Sequence, residues 1–328
     1  MNPAITKSVR LGFIGIGNMG SRIARRLIDH GYALCAYDRN FEKASALAAS
    51  GAEPASEIGD LARKSDVVLS CLSNDEAVRK AYIGPDGVLA NVRPGTILLE
   101  MSTISPVVSR EFAHLAYKNR VDMLDVAISG STPAAEQGTL TLLAGGDAEV
   151  FESVSSILRV IARQFFHLGP SGSGTTMKLV VNTLLGVGMQ AVAEAVAFGE
   201  KAGLERNLLL TVLGKTAVIA PALVGKLERV AKNDYSPQFP LRLMNKDYRL
   251  ILENAAELTV PMPATAAAFQ VNSAEFGDQG DVDFSIVVEF VKKLASLRPL
   301  QEKEQIDSAH EHQPEIEYAA LLGTLHRH

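Results

Sequence analysis

The chain has 328 residues, 47% apolar and 21% charged, with 32 Lys and Arg against 37 Asp and Glu. That length and apolar content allow about two domains with real cores, and a net charge of -5 without a basic cluster excludes nucleic acid as the partner, because phosphate-backbone binding needs grouped Lys and Arg. Cys35 and Cys71 each lie in an apolar strand-like run and read as buried free thiols, and the opening MNPAITKSVR lacks the apolar core of a secretion signal, so the expected compartment is the cytoplasm.

Residues 11–20, LGFIGIGNMG, carry an apolar strand signal through Gly15-Ile16-Gly17-Asn18-Met19-Gly20 into the helical pattern SRIARRLIDHG. In a dinucleotide-binding turn the first glycine makes the tight bend, the second lets the backbone approach a pyrophosphate, and the third lets helix and strand pack closely. The phosphates then sit on a helix N-terminus, where free N–H groups and the helix dipole favour negative charge. The next strand, ALCAYD, ends in Asp38, at the spacing of a ribose-binding acid. A carboxylate there accepts both ribose hydroxyls and repels a 2′-phosphate, which favours NAD. Arg39 beside it offers a guanidinium to that same phosphate, so NADP is the second choice.

Further along, DVVLSCL, TILLEMS, VDMLDVAI and LTLLAGG alternate with helical patterns to about residue 168. Strand and helix in alternation predict an α/β N-terminal Rossmann-type, doubly wound, mostly parallel sheet, with its ligand beyond the C-terminal strand ends. GPSGSG at 169–174 is a break in composition that reads as a domain boundary and hinge. One long apolar helix is expected from Thr175 to about Ala202, followed by helical patterns to about Leu297 without strand alternation, hence an all-α C-terminal domain. The expected division is residues 1–170 for the dinucleotide-binding domain, 171–297 for a helical substrate and dimerisation domain, and 298–328 for a polar C-terminal tail with a short apolar end. Asn182, Gln190 and Glu194 interrupt the long helix, which argues against a membrane span and for a buried helix shared with a second subunit. Gly186 and Gly188 weaken it by about 1 kcal/mol each relative to alanine, a cost that close helix packing would offset. His310, His312, His326 and His328 lack carboxylate or cysteine spacing for a metal, so no metal is expected.

Three further segments carry chemistry. VDMLDVAI ends in Ser129-Gly130-Ser131, a small-residue turn whose N–H groups and hydroxyls suit a carboxylate. Lys178 and Asn182 lie one turn apart on the same face of the long helix. Phe239-Pro-Leu-Arg-Leu-Met-Asn-Lys246-Asp247-Tyr248 opens another helix with a basic-acidic pair.

With the glycine turn, these segments resemble the β-hydroxyacid dehydrogenase family over residues 10 to about 296, in order and spacing. The resemblance implies a nicotinamide-dependent oxidoreductase acting on a small 3-hydroxy acid or its semialdehyde, of the 3-hydroxyisobutyrate or tartronate semialdehyde/glycerate type. It implies Lys178 as the catalytic lysine, Ser129 and Gly130, with Ser131 beside them, as binders of the substrate carboxylate, and Asn182 as a substrate-orienting amide. Phe239 and Asp247 match positions lining the same cleft. Leu72 and Ser73 match the segment over the cofactor, Thr103 the position near the nicotinamide, and Lys246 a residue closing over the cofactor from the helical domain. The chain departs from the family where Asp-Ala-Pro-Val-Ser-Gly-Gly is usual and Asp125-Val-Ala127-Ile-Ser129-Gly130-Ser131 stands here, and where Thr183 replaces a second asparagine. Ser131 adds a hydroxyl and removes space, pointing to a smaller or more polar acid.

A carboxylate anchor fixes the carbinol carbon for hydride transfer, and Lys178 exchanges the hydroxyl proton if burial or a neighbouring cation lowers its pKa. His30, His114 and His167 occupy no catalytic place, which disfavours a histidine-based 2-hydroxy-acid enzyme. Competing readings are an imine reductase or a glyoxylate/succinic semialdehyde reductase of the same architecture and, from another class, a non-catalytic dinucleotide-sensing scaffold. The long apolar helix predicts a homodimer or homotetramer.

Overall fold

The computed structural model describes residues 8–296; the tail read over 298–328, with its four histidines, lies outside the described residues. Eight strands form one sheet: β1 (Arg10–Ile14), β2 (Ala33–Tyr37), β3 (Glu53–Pro54), β4 (Val67–Ser70), β5 (Ile97–Glu100), β6 (Asp122–Ser129), β7 (Leu140–Gly145) and β8 (Ala162–His167). Their order is β3-β2-β1-β4-β5-β6-β7-β8. The first six run parallel, β7 is antiparallel to β6, and β8 is parallel to β7. Strand order reverses between β1 and β4, and that crevice is where an open α/β sheet receives its ligand.

The central strands β4 and β5 are buried throughout, as parallel strands covered on both faces must be. Side chains alternate between faces. Leu11, Phe13, Leu69 and Leu99 enter one core, whereas Ile14, Val68 and Leu98 enter the other. The sequence patterns place six of the eight strands and omit β3 and β8. β3 has only two residues, and β8, ARQFFH, is an edge strand with most side chains exposed, so neither shows an apolar run. Cys35 and Cys71 are free thiols, the first buried and the second partly so.

The second half, among the described residues, is helical. The long helix spans Ser173–Lys201, followed by Arg206–Leu213, Pro221–Ala231, Leu241–Glu257, Pro263–Gln279 and Val287–Ser296. The long helix is long and apolar enough to cross a membrane, yet it packs within the chain: Asn182, Met189, Gln190, Val192 and Val196 are all buried. A Cβ at Gly186 would sit 2.5 Å from the Tyr248 hydroxyl, so the glycine lets the helix Leu241–Glu257 approach.

What joins the halves is Asp125 in the middle of β6. Its buried carboxylate accepts from the backbone N–H groups of Gly172 and Thr175, each at 2.8 Å. Those groups are the unsatisfied donors of the long helix's first turn, and a negative charge there also suits the helix dipole. A Cβ at Gly174 would lie 2.3 Å from the Leu143 carbonyl oxygen, so the helix begins directly on the sheet. Lys178 and Asn182 follow one and two turns further on.

Candidate active site

The glycine turn has three distinct geometries. Gly15 has φ +94°, and a side chain there would meet the Cys71 carbonyl at 2.3 Å; at Gly20 a Cβ would lie 2.0 Å from the Gly15 carbonyl oxygen. Gly17 is different: nothing lies within 4 Å of an added Cβ. A tight bend, open space at the second glycine and close helix contact at the third fit a pyrophosphate approached by backbone. Gly17 caps the helix Asn18–Asp29, whose first turn holds no acidic side chain to compete with an anion for the N–H groups of Asn18, Met19 and Gly20.

Asp38 braces this turn from the end of β2. One carboxylate oxygen accepts from Ile16 N at 2.8 Å and the other from Asn40 N at 2.9 Å. Each oxygen keeps a second lone pair for a ribose hydroxyl. Arg39 is exposed. Across the crevice, Leu72 N donates to Ser102 Oγ at 2.7 Å, which ties the turn after β4 to the turn after β5. Thr103 presents its carbonyl to Lys246 Nζ at 2.5 Å, so the helix Leu241–Glu257 reaches across to the sheet. A cavity of about 460 Å³ opens between the β4 turn and this helix, lined by Ser73, Asn74, Lys246 and Arg249; Lys178 and Asn182 are not among its lining residues. It therefore borders the cofactor-type residues more closely than the lysine.

Lys178, Asn182, Lys246 and Asp247 come together. Asn182 is fully buried and donates through Nδ2 to Asp247 Oδ2 at 2.5 Å; the other Asp247 oxygen lies 2.8 Å from Lys246 Nζ. The Asn182 amide oxygen is buried without a partner, an acceptor one turn from Lys178. Burial pushes the Lys178 ammonium down to about 8; Asp247 opposes that shift and Lys246 adds to it. A half-buried lysine beside a second cation is the arrangement that makes an amine useful in proton transfer near neutral pH.

Ser129 ends β6, Gly130 follows with φ +139°, and Ser131 caps the short helix Thr132–Gln137 without using its hydroxyl for the cap. Ser129 is partly buried; Gly130 and Ser131 are exposed. Phe239 sits differently from the rest. Its ring packs edge-on against Phe284 at 5.5 Å, and its N–H donates to Asp283, a buried carboxylate paired with Lys226 at 2.6 Å. These contacts belong to the helical core. Asp247 is also buried, and its oxygens are engaged by Asn182 and Lys246.

Three structural partners of this site escaped the sequence reading: Asp125, Glu100 and Ser102. The signal for the first two was present, since a lone carboxylate inside an apolar strand run must be partnered or carry a large penalty.

The sheet order, the glycine turn at its crevice and the half-buried lysine define a nicotinamide-dinucleotide oxidoreductase. Residues 10–169 match the model for the NAD-binding domain of 6-phosphogluconate dehydrogenase, and residues 172–291 match that described as NAD-binding of NADP-dependent 3-hydroxyisobutyrate dehydrogenase. The chain is 35% identical over 293 residues to 2-(hydroxymethyl)glutarate dehydrogenase of Eubacterium barkeri, covering 89% of this chain and 97% of that one. It is 36% identical over 287 residues to the NAD-dependent L-serine dehydrogenase of Pseudomonas aeruginosa, covering 85% and 96%. The solved 3-hydroxyisobutyrate dehydrogenase of Mycobacterium tuberculosis with L-serine superposes with a TM-score of 0.76 at 29% identity, over 89% of this chain and 99% of that one. The chain belongs to the β-hydroxyacid dehydrogenase family of NAD(P)-dependent oxidoreductases.

Proposed function

We propose that this enzyme interconverts a small 3-hydroxy acid and its semialdehyde, with Lys178 as the proton-transferring residue. The observation that carries the reading is the Lys178 ammonium, lowered to about 8 by burial, one turn from the unpartnered amide oxygen of buried Asn182. A nicotinamide held beside Lys178 would supply the hydride acceptor in oxidation and the hydride donor in reduction. The Gly15–Gly20 turn would hold the pyrophosphate, Asp38 and Arg39 the adenosine ribose, and Leu72, Ser73, Thr103 and Lys246 the nicotinamide half. NAD is the preferred cofactor and NADP the alternative.

Ser129, Gly130 and Ser131 hold the substrate carboxylate through N–H groups and hydroxyls, which orients the carbinol carbon. Asn182 holds the substrate beside Lys178 while its Nδ2 stays on Asp247, leaving the substrate hydroxyl proton to the lysine. In oxidation, neutral Lys178 takes the hydroxyl proton; in reduction, the ammonium returns it. The Ser131 hydroxyl favours a short or polar acid, a class that includes L-serine. Residues 1–170 act as the dinucleotide-binding domain and 171–297 as the substrate domain, in the cytoplasm. Leu184 and Phe198, 74% and 77% exposed on the long helix, support a homodimer or homotetramer; light scattering should show no stable monomer at micromolar concentration.

An initial-rate panel tests the activity: both cofactors, each paired with 3-hydroxyisobutyrate, glycerate, L-serine, 3-hydroxypropionate and 4-hydroxybutyrate, and with the matching aldehydes and glyoxylate in reverse. Turnover of a 3-hydroxy acid is expected. Turnover of none of the panel contradicts the reading.

A further inference from the structure

Glu100, the last residue of β5, is fully buried, yet the reaction above gives it no task. Its carboxylate accepts from Ser102 N at 2.7 Å through one oxygen and from Ser70 Oγ at 3.0 Å through the other. Ser70 Oγ lies 2.7 Å from the Tyr82 hydroxyl, and Ser102 Oγ accepts from Leu72 N at 2.7 Å. One buried carboxylate thus draws together the turns after β4 and β5. Burial of a carboxylate costs several kcal/mol before its partners are counted, and an apolar side chain would fill this position in the sheet without that cost.

These two turns carry Leu72, Ser73 and Thr103, and Thr103 in turn receives Lys246 from the helical half. We propose that Glu100 is a positioning residue for the cofactor: its carboxylate, acting through Ser70 and Ser102, holds the Leu72–Ser73 and Thr103 turns at the separation the nicotinamide half requires. This inference rests on the reading that those three residues and Lys246 hold the cofactor.

The proton state of the carboxyl follows from its surroundings. Burial pushes Glu100 up to about 7, hydrogen bonds from Ser102 and Ser70 oppose that, and Asp125 on β6 adds to it. The other titratable groups around this corner are Tyr82, whose hydroxyl is raised by burial and by Glu100, and Cys71, which feels both Glu100 and Lys246. Above pH 7 the ionised carboxylate accepts from all its partners. Below it, a carboxylic proton must be donated along the Ser70–Tyr82 chain, and the charge-assisted bonds are lost.

The test is fluorescence titration of the full-length protein between pH 6 and 8.5 with whichever of NADH or NADPH binds the wild type more tightly. Wild-type affinity should fall about tenfold, the value of a hydrogen bond to a charged group, between pH 8 and pH 6. Glu100→Gln should bind about tenfold more weakly at pH 8, lose that pH dependence, and unfold at a temperature no lower than the wild type's. Ser102→Ala should weaken binding in the same direction. A Glu100→Gln protein with wild-type affinity and wild-type pH dependence overturns the proposal. Lys246→Ala and Thr103→Pro, titrated in parallel, separate the two claims: if they leave affinity unchanged, the assignment of the cofactor residues fails, whereas weakened binding in these and not in Glu100→Gln leaves that assignment intact and removes Glu100's role alone.

Discussion

Replacing Asp247 with asparagine should shift the pH dependence of turnover downward, and replacing Lys246 with methionine should shift it upward. The structure sets both signs. Lys178 stands at about 8 because burial lowers it, Asp247 raises it and Lys246 lowers it. The amide introduced by Asp247→Asn keeps an oxygen to accept the Asn182 Nδ2 bond, so Asn182 stays in place while the charge disappears. An opposite charge within about 4–6 Å moves a pKa by roughly 1–3 units. Because Asp247 already shares its charge with Lys246 at 2.8 Å, the low end applies, about one unit. The assay is kcat for alcohol oxidation at saturating cofactor and substrate from pH 6 to 10. Oxidation requires neutral Lys178, so the rate should rise through an apparent pKa near 8, and in reduction it should fall through the same region. Asp247→Asn should bring the oxidation limb to about 7, and Lys246→Met should carry it toward about 9. Two variants that shift the limb in the same direction, or leave it fixed, would refute the assignment of that ionisation to Lys178.

Other outcomes follow from the same geometry. Asp38→Ala removes an acceptor from the ribose and a brace from Ile16 N, so both cofactors should weaken, NAD by at least about tenfold more than NADP; Arg39→Ala should weaken NADP selectively, and steady-state kcat/KM ratios report both. Gly17→Ala should leave the denaturant midpoint unchanged, since its added methyl meets no atom within 4 Å, while weakening the cofactor by crowding the pyrophosphate; Gly20→Ala, only 2.0 Å from the Gly15 carbonyl oxygen, should lower the midpoint by the equivalent of about 1–3 kcal/mol. Asp125→Ala strands the Gly172 and Thr175 donors at the head of the long helix and should cost about 2–4 kcal/mol in urea unfolding, with Asp125→Asn costing less.

The fold was legible where periodicity and turn chemistry acted together. An apolar strand running into Gly15, Gly17 and Gly20 has few other uses, and GPSGSG marks the place where strand alternation stops. β3 and β8 were illegible because the first is too short to have a period and the second, at the sheet edge, has no need of apolar residues. The approach of Lys178 to Asn182 was readable from helical spacing alone. What spacing does not convey is partnership between distant segments: that Asp247 would hold Asn182, that Phe239 would stack on Phe284, or that Asp125 would accept from Gly172, 47 residues later, at the head of the long helix. Those bonds depend on how elements dock, which local pattern does not encode.

The central claim is that Lys178 moves the substrate proton and does not hold the cofactor. Stopped-flow measurement of hydride transfer in a single turnover, with cofactor affinity determined on the same Lys178→Ala protein, tests it most directly. The expected result is a loss on the order of a hundredfold or more in the transfer rate, with cofactor affinity within about twofold of the wild type and the rise near pH 8 abolished. A Lys178→Ala enzyme that transfers hydride at the wild-type rate, or one whose defect lies wholly in cofactor binding, would contradict the account.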